Sequence, residues 1–267
     1  HTRSLCDWSS DVCSSDLHLK YIAVTHIHLD HAGGLGSTCR HFKQAKALVH
    51  YKGLRHMLDP SKLIRGATAA WGEDKMRLFG EIVPLSKEQA IPVQEGYKID
   101  LGNRIIEVWE TPGHSKDHLC FYDHKTKGLF SGDAVGVYQA DLSRELNKPV
   151  LRNATPLPDF NGEHMISTLK RIALGDNIET IYFAHFGSLD SPLQIIEQLL
   201  GQLVINLEMA KKYYGSEDRV ALLSSAMVEQ TKRALGISDP QKIEFITGLM
   251  NLSARGLLHY LDKINDN

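Results

Sequence analysis

The sequence predicts an α/β fold that gives way to helices alone near its C-terminus, and three observations predict it. Short apolar runs have the length and composition of buried strands: Tyr21–Val24, Arg104–Trp109, Gly128–Phe130 and Thr180–Phe183. The first leads into a run of metal-ligand residue types, and each of the other three into one such residue beside a glycine. The four continuations are Thr25-His26-Ile27-His28-Leu29-Asp30-His31, Thr111-Pro112-Gly113-His114-Ser115, Ser131-Gly132-Asp133-Ala134 and Ala184-His185-Phe186-Gly187. Strand C-terminal ends are where α/β proteins build their sites, and glycine lets the backbone turn sharply enough to aim a side chain into a cleft. After Ser188, apolar residues recur only at three- and four-residue steps, the period of amphipathic helices.

Taken in order, Tyr21–Val24 is a strand, and Ala32-Gly33-Gly34-Leu35-Gly36 starts a turn toward a helix over Ser37–Lys46. Ala47–Tyr51 follows as a strand. From Lys52 to Leu85 the pattern is weak, broken by Gly53, Pro60, Gly66, Gly72, Gly80 and Pro84, which predicts short helices and loops packing over the site. Tyr97 to Arg104 reads as a hairpin turning at Gly102-Asn103, and Leu119–Tyr122 with Gly128–Phe130 as a second around Asp123–Lys127. Pro156-Leu157-Pro158 marks an ordered loop before a helix from Gly162 to Leu174, capped by Asn161 and ended by Gly175. Ser191-Pro192 is a cap with a first-turn proline. Ile196, Leu199, Leu203, Leu207, Ala210 and Tyr214 then form one apolar face of a helix ending at Gly215. A second helix spans Asp218 to Leu235, and a third runs from Asp239-Pro240 to Ile264 with Ile243, Ile246, Met250, Leu257 and Leu261 facing inward. The domain organisation expected is residues 1–17 set apart, a catalytic domain over 18–188 and a helical segment over 189–267. That helical segment serves packing or dimerisation ahead of lining a substrate cleft, because it holds no cluster of Arg, Lys and Tyr.

The first motif carries the chemistry. Four potential ligands stand within six positions, and imidazole nitrogens with a carboxylate oxygen suit zinc, manganese or iron better than calcium or magnesium. A lone histidine pair would be an ordinary surface feature; this density is not. The ordered set His-x-His-x-Asp-His, Pro-Gly-His, Ser-Gly-Asp and a late strand-ending His resembles the metallo-β-lactamase-fold hydrolase superfamily over roughly His18 to Ser188. The resemblance implies an αββα sandwich whose N-terminal strands are missing from this chain, with a C-terminal helical extension. It implies that His26, His28 and His114 hold one metal ion, that Asp30, His31 and His185 hold a second, and that Asp133 bridges both. Two divalent ions are expected, zinc ahead of iron or manganese. A hydroxide shared between them would attack a small-molecule ester, thioester, lactone or phosphoester, with Asp30 also moving a proton to the leaving group. No nucleophilic serine is then needed, in keeping with the lack of a Gly-x-Ser-x-Gly elbow.

Glyoxalase II and the acyl-homoserine lactonases share this ligand set, while Pro-Gly-His-Ser-Lys-Asp-His and the His-Phe-Gly ending look closer to generic members with a helical C-terminus. The lactonases place a tyrosine three residues after the bridging aspartate; this chain has Gly136 there and Tyr138 two positions on. Two alternatives stand beside the hydrolase: a mononuclear iron enzyme like the persulfide dioxygenases of the same fold, and a truncated fragment without activity. Flavodiiron proteins place Glu where His28 stands. His118 reads equally as a residue orienting a ligand or as core packing. His41, His50, His56, His124, His164 and His259 read as ordinary polar residues, and Trp71 and Phe160 as core or lid packing. Gly33-Gly34-x-Gly36 lacks the spacing and acidic partner of a dinucleotide site.

Bulk properties narrow the partners. Asp7 to Leu17 resembles a translated sequencing-adapter oligonucleotide, has no apolar period and is no signal peptide, so the native N-terminus is expected to be longer and one sheet to keep an open edge. Of the formal charge of −2, residues 1–17 account for all, carrying Arg3 against Asp7, Asp11 and Asp16. A neutral remainder without basic runs predicts no nucleic-acid partner. Cys39 and Cys120, the cysteines beyond residues 1–17, make no disulfide framework, and no apolar run reaches membrane-spanning length, which predicts a cytoplasmic protein with no membrane partner.

Overall fold

The computed structural model describes residues 19–175 and 177–266, so the expectations for residues 1–17 lie outside the described residues. The chain forms two compact units, the first running to Val93 and the second starting at Gln94.

In the first unit, β1 (Tyr21–Ala23) is followed by a single helical turn α1 (Leu29–Ala32), α2 (Leu35–His41), β2 (Lys46–His50), α3 (Tyr51–Leu58), α4 (Ser61–Trp71), α5 (Glu73–Arg77) and β3 (Ala90–Val93). The strands pair in parallel in the order β1-β2-β3, with Ile22 opposite Ala47 and Leu48 opposite Ile91. Ala47–His50 is buried throughout, as a central parallel strand covered on both faces must be. Val24, Ile27, Leu35, Cys39, Val49 and Met57 form the core beneath it. The helix expected over Ser37–Lys46 begins earlier and stops at His41, because Lys46 already belongs to β2. The side-chain amide of Gln89 collects the carbonyls left at that end, donating to Cys39 at 2.9 Å, Phe42 at 3.1 Å and Ala45 at 3.1 Å. His50 is more than an ordinary polar residue: it is buried, and its Nδ1 accepts the Lys52 N–H at 3.0 Å, capping α3.

The second unit contains β4 (Lys98–Asp100), β5 (Ile105–Glu110), β6 (Leu119–Asp123), β7 (Gly128–Phe130), β8 (Val137–Tyr138), α6 (Ala140–Leu146), β9 (Leu151–Arg152), α7 (Gly162–Leu174), β10 (Thr180–Tyr182), β11 (Ser188–Asp190), α8 (Pro192–Tyr213), α9 (Arg219–Leu235) and α10 (Pro240–Asn265). Its main sheet has the order β11-β10-β7-β6-β5-β4, antiparallel except for the β7–β10 pair, and β8 pairs with β9. Both predicted hairpins form, β4–β5 and β6–β7. Asp123 holds the second turn by accepting from the Lys125 N–H at 3.0 Å and the Thr126 hydroxyl at 2.6 Å. The predicted cap of α7 is present, Asn161 accepting from the His164 N–H at 2.9 Å, and α10 is capped by Asp239, which accepts from the Lys242 N–H at 3.1 Å. Ser191 corrects its prediction. Its backbone is left-handed (φ +65°) and its side chain caps nothing, since a side-chain cap needs an extended backbone; its carbonyl accepts the Gln194 N–H instead, at 3.1 Å.

Leu129 and Ile181 of the sheet, Leu169 and Ile172 of α7, and the inward faces of α8, α9 and α10 share one buried core. Each large apolar side chain placed there contributes roughly 1.5–3 kcal/mol. Phe160 belongs to this core, whereas Trp71 of the first unit is partly exposed and stacks on Phe79. Among the described residues, no helix is long and apolar enough to cross a membrane.

Candidate metal centre

The predicted ligands divide between the units, His26, His28, Asp30 and His31 in the first and His114, Asp133 and His185 in the second.

In the first unit the chain leaves the sheet after Val24, whose N–H still donates to Leu48 at 3.3 Å. His26 then turns inward and is buried. Its Nε2 lies 2.9 Å from His28 Nδ1, and the Thr25 hydroxyl lies 3.1 Å from its Nδ1. Two imidazole nitrogens that close share one proton, and the same two lone pairs suit a shared cation. The motif does not remain extended. Leu29 and Ala32 bury themselves, which winds the residues between them into α1, with the His28 carbonyl accepting from Ala32 at 2.8 Å. This turn carries His31 back until its ring centre is 4.1 Å from that of His26. Asp30 lies 3.4 Å from His31 Nε2. Burial pushes the Asp30 carboxyl upward, but the His31 hydrogen bond and the charges of His31 and His28 outweigh it and hold the group below its ordinary 3.8.

In the second unit Asp133 is the centre. It is 4% exposed, with Oδ2 3.5 Å from His114 Nε2 and Oδ1 3.3 Å from His185 Nε2. A buried carboxylate is thus faced by one imidazole on each oxygen. His114 Nδ1 donates to the Ala154 carbonyl at 3.1 Å, which keeps the proton on Nδ1 and presents Nε2 as the ligating atom. The turn that delivers His114 needs Gly113: at φ +140° a Cβ there would come 2.4 Å from Met165 Cα.

His118 orients this centre. Its Nε2 accepts the Asp133 N–H at 3.0 Å and its Nδ1 donates to Thr111 Oγ1 at 2.8 Å. Thr111 is 3.3 Å from Cys120 Sγ, whose S–H donates to the Ser131 carbonyl at 3.3 Å. Burial pushes the Cys120 thiol up to about 12, so it stays a donor. The chain of bonds begins and ends on the Ser131-Gly132-Asp133 turn.

His185 is the most exposed of the three and borders a cavity of about 600 Å³, also lined by Tyr138, Gln139, Arg152 and Phe245. Gly136 cannot be replaced by the tyrosine of the lactonases: at φ +71° its Cβ would stand 2.4 Å from the Arg152 carbonyl. Tyr138 reaches the cavity instead, packed on Phe183. Arg152 carries no sequence signal, yet its Nε is buried with no hydrogen-bond partner among the described residues. Burial lowers its pKa while the Asp133 charge opposes that shift.

Residues 14–185 match the metallo-beta-lactamase superfamily, and the chain belongs to that superfamily. Its fold is the one seen in the crystal structure of an archaeal metallo-beta-lactamase superfamily protein from Sulfolobus tokodaii, at a TM-score of 0.62 and 25% identity over 90% of this chain and 80% of that one. It is 33% identical over 116 residues to an acyl-coenzyme A thioesterase from Bos taurus, covering 42% of this chain and 39% of the relative. The match thus spans about two fifths of that enzyme's length. It is also 26% identical to a hydroxyacylglutathione hydrolase from Haemophilus influenzae, over 65% of this chain and 71% of the relative.

Proposed function

We propose that the chain is a hydrolase in which His26, His28 and His114 hold one divalent ion, Asp30, His31 and His185 hold a second, and Asp133 bridges the two, zinc being the first choice of metal. The observation that carries this reading is Asp133 itself, a buried carboxylate whose two oxygens face two different imidazoles, 3.5 and 3.3 Å away. Such a group stays ionised in a protein interior only beside cations or strong donors. Superfamily membership and the four-ligand loop of the first unit point the same way.

Divalent ions held by these residues would supply a water acidic enough to ionise near neutral pH. The residues then divide the remaining work. His114 is fixed in tautomer by Ala154, His118 sets the Asp133 turn, and the ionised Asp30 accepts and returns a proton beside the leaving group. Carbonyl substrates rank ahead of phosphoesters, because the relatives named above are a thioesterase and a hydroxyacylglutathione hydrolase. The buried, free Cys39 and Cys120 support a reducing, cytoplasmic setting.

A zinc-loaded chain tested on a panel of thioester, aryl ester, lactone and phosphodiester substrates decides the matter. About two metal ions per chain and turnover of a carbonyl substrate are expected. Asp133→Ala loses metal and hydrolysis together; wild-type turnover in that variant overturns the bridging role. One iron per chain with oxygen consumption supports the dioxygenase instead.

A further inference from the structure

We infer that the cavity beside His185 continues into a second chamber that takes the acyl chain of a medium-chain carboxylic substrate, with Arg152 and Asn153 at its polar end. The inference rests on the hydrolase reading and names its substrate class.

The second chamber measures about 400 Å³ and lies among β9, α8, α9 and α10. It shares Leu142, Arg152, Phe245, Ile246 and Leu249 with the cavity that His185 lines, so the two adjoin along one wall. Val150, Leu151, Met227, Leu235 and Met250 give it apolar walls, interrupted by the polar Asn206, Thr231 and Ser253. Among the described residues, its only charged lining groups are Arg152 and Glu197, and Glu197 is exposed. Phe245 and Ile205 leave 56% and 47% of their surfaces to solvent along this lining, an arrangement that an apolar ligand would cover.

Two polar atoms fix which end of a ligand goes where. Arg152 borders both spaces, and its Nε–H is buried without an acceptor. Asn153 is 4% exposed; its Nδ2 donates to the Leu199 carbonyl at 3.0 Å and to Gln202 Oε1 at 3.1 Å, which identifies the other end as the oxygen. That Oδ1 has no partner among the described residues. A buried donor and a buried acceptor left open beside an apolar chamber favour a ligand with a polar head and an aliphatic tail. The carbonyl or carboxylate oxygen accepts from Arg152 and a ligand hydroxyl or a water donates to Asn153. The tail runs among the three C-terminal helices, and the carbonyl carbon remains on the His185 side.

Gly201 of α8 supplies the test. It lines the chamber, and a Cβ built there meets nothing within 4 Å, so Gly201→Leu fills the space without strain and with better helix propensity. Octanoate binding to the full chain in EDTA, measured by calorimetry, removes metal and turnover from the readout. Octanoate should bind about tenfold or more tighter than butanoate, since each buried methylene adds to affinity. Gly201→Leu should lose about tenfold for octanoate while melting no lower than wild type, and Ile205→Gln, on the exposed wall, should weaken binding in the same direction. Arg152→Gln should weaken octanoate but not octanol. Equal affinity for octanoate and butanoate, or wild-type affinity in Gly201→Leu, overturns the chamber even if short esters are hydrolysed. Octanoate binding that obeys these rules in a chain that cleaves no ester keeps the chamber and refutes the hydrolase.

Discussion

His118 decides how Asp133 is presented, because its Nε2 takes the Asp133 N–H while its other nitrogen is tied to Thr111. His118→Ala leaves a buried N–H without an acceptor, an expected cost of about 1–3 kcal/mol in urea denaturation. The loss should also appear as about 10- to 100-fold weaker metal retention, as is usual for residues that hold a ligand in place. Unchanged metal affinity in a stable variant would reduce His118 to packing. Gly136 tests a different force at the same scale. Its positive φ and the 2.4 Å approach to the Arg152 carbonyl predict that Gly136→Ala destabilises by more than about 1 kcal/mol, and a wild-type melting curve would contradict the close approach. Motif spacing named His26, His28, Asp30 and His31 without structure, since four ligands crowded after a strand have few other uses. It could not rank His118, because burial and partners, not residue type, separate a positioning imidazole from a core one.

Elements were legible where a local rule fixes them. Asn161 announces α7 because a short polar side chain before an apolar period satisfies the first open N–H groups, and Asp239 does the same for α10 in the structure. Asp239→Ala should therefore cost about 1 kcal/mol of stability in chemical denaturation, with Asp239→Ser restoring most of it. The Lys52–Leu85 stretch was not legible: α3, α4 and α5 are short, and α3 depends on a histidine cap that composition does not advertise. Ser191 misled because the chain must reverse straight out of β11, and a left-handed residue makes that reversal. Between elements, Asp262 of α10 receives Arg219 of α9 at 2.7 and 3.1 Å and the Tyr214 hydroxyl at 2.9 Å. The Arg219 hydrogen bond, outweighing burial, holds the Asp262 carboxyl below its ordinary 3.8. A depressed folded pKa gives stability that is present above the unfolded value and lost as pH falls through the folded one. Asp262→Asn should thus be less stable than wild type near neutral pH, by less than about 1 kcal/mol for so exposed a pair, with the gap closing below about pH 4. A gap that persists in acid would mean that shape, not charge, holds α9 to α10.

At the scale of the whole molecule, the proposed metal centre and the fold draw on different residues. Both cores are apolar and use none of the seven ligands. The chain should consequently stay folded without metal, unlike small zinc domains whose folding free energy is mostly ligand binding. In the proposed centre metal would favour the native state, because an unfolded chain keeps only the neighbouring His26, His28, Asp30 and His31 together and not the distant His114, Asp133 and His185. Free zinc at about a thousand times its Kd adds about 4 kcal/mol, and a chain of this size gains roughly 2–4 °C in Tm per kcal/mol. Zinc should therefore raise Tm by about ten degrees and EDTA should reverse it, with the far-UV circular dichroism of the chelated chain unchanged at 25 °C. Asp133→Ala should show no such rise. A chelated chain that loses its helices would place folding in the metal's hands, and a wild-type Tm indifferent to zinc would remove the proposed centre altogether.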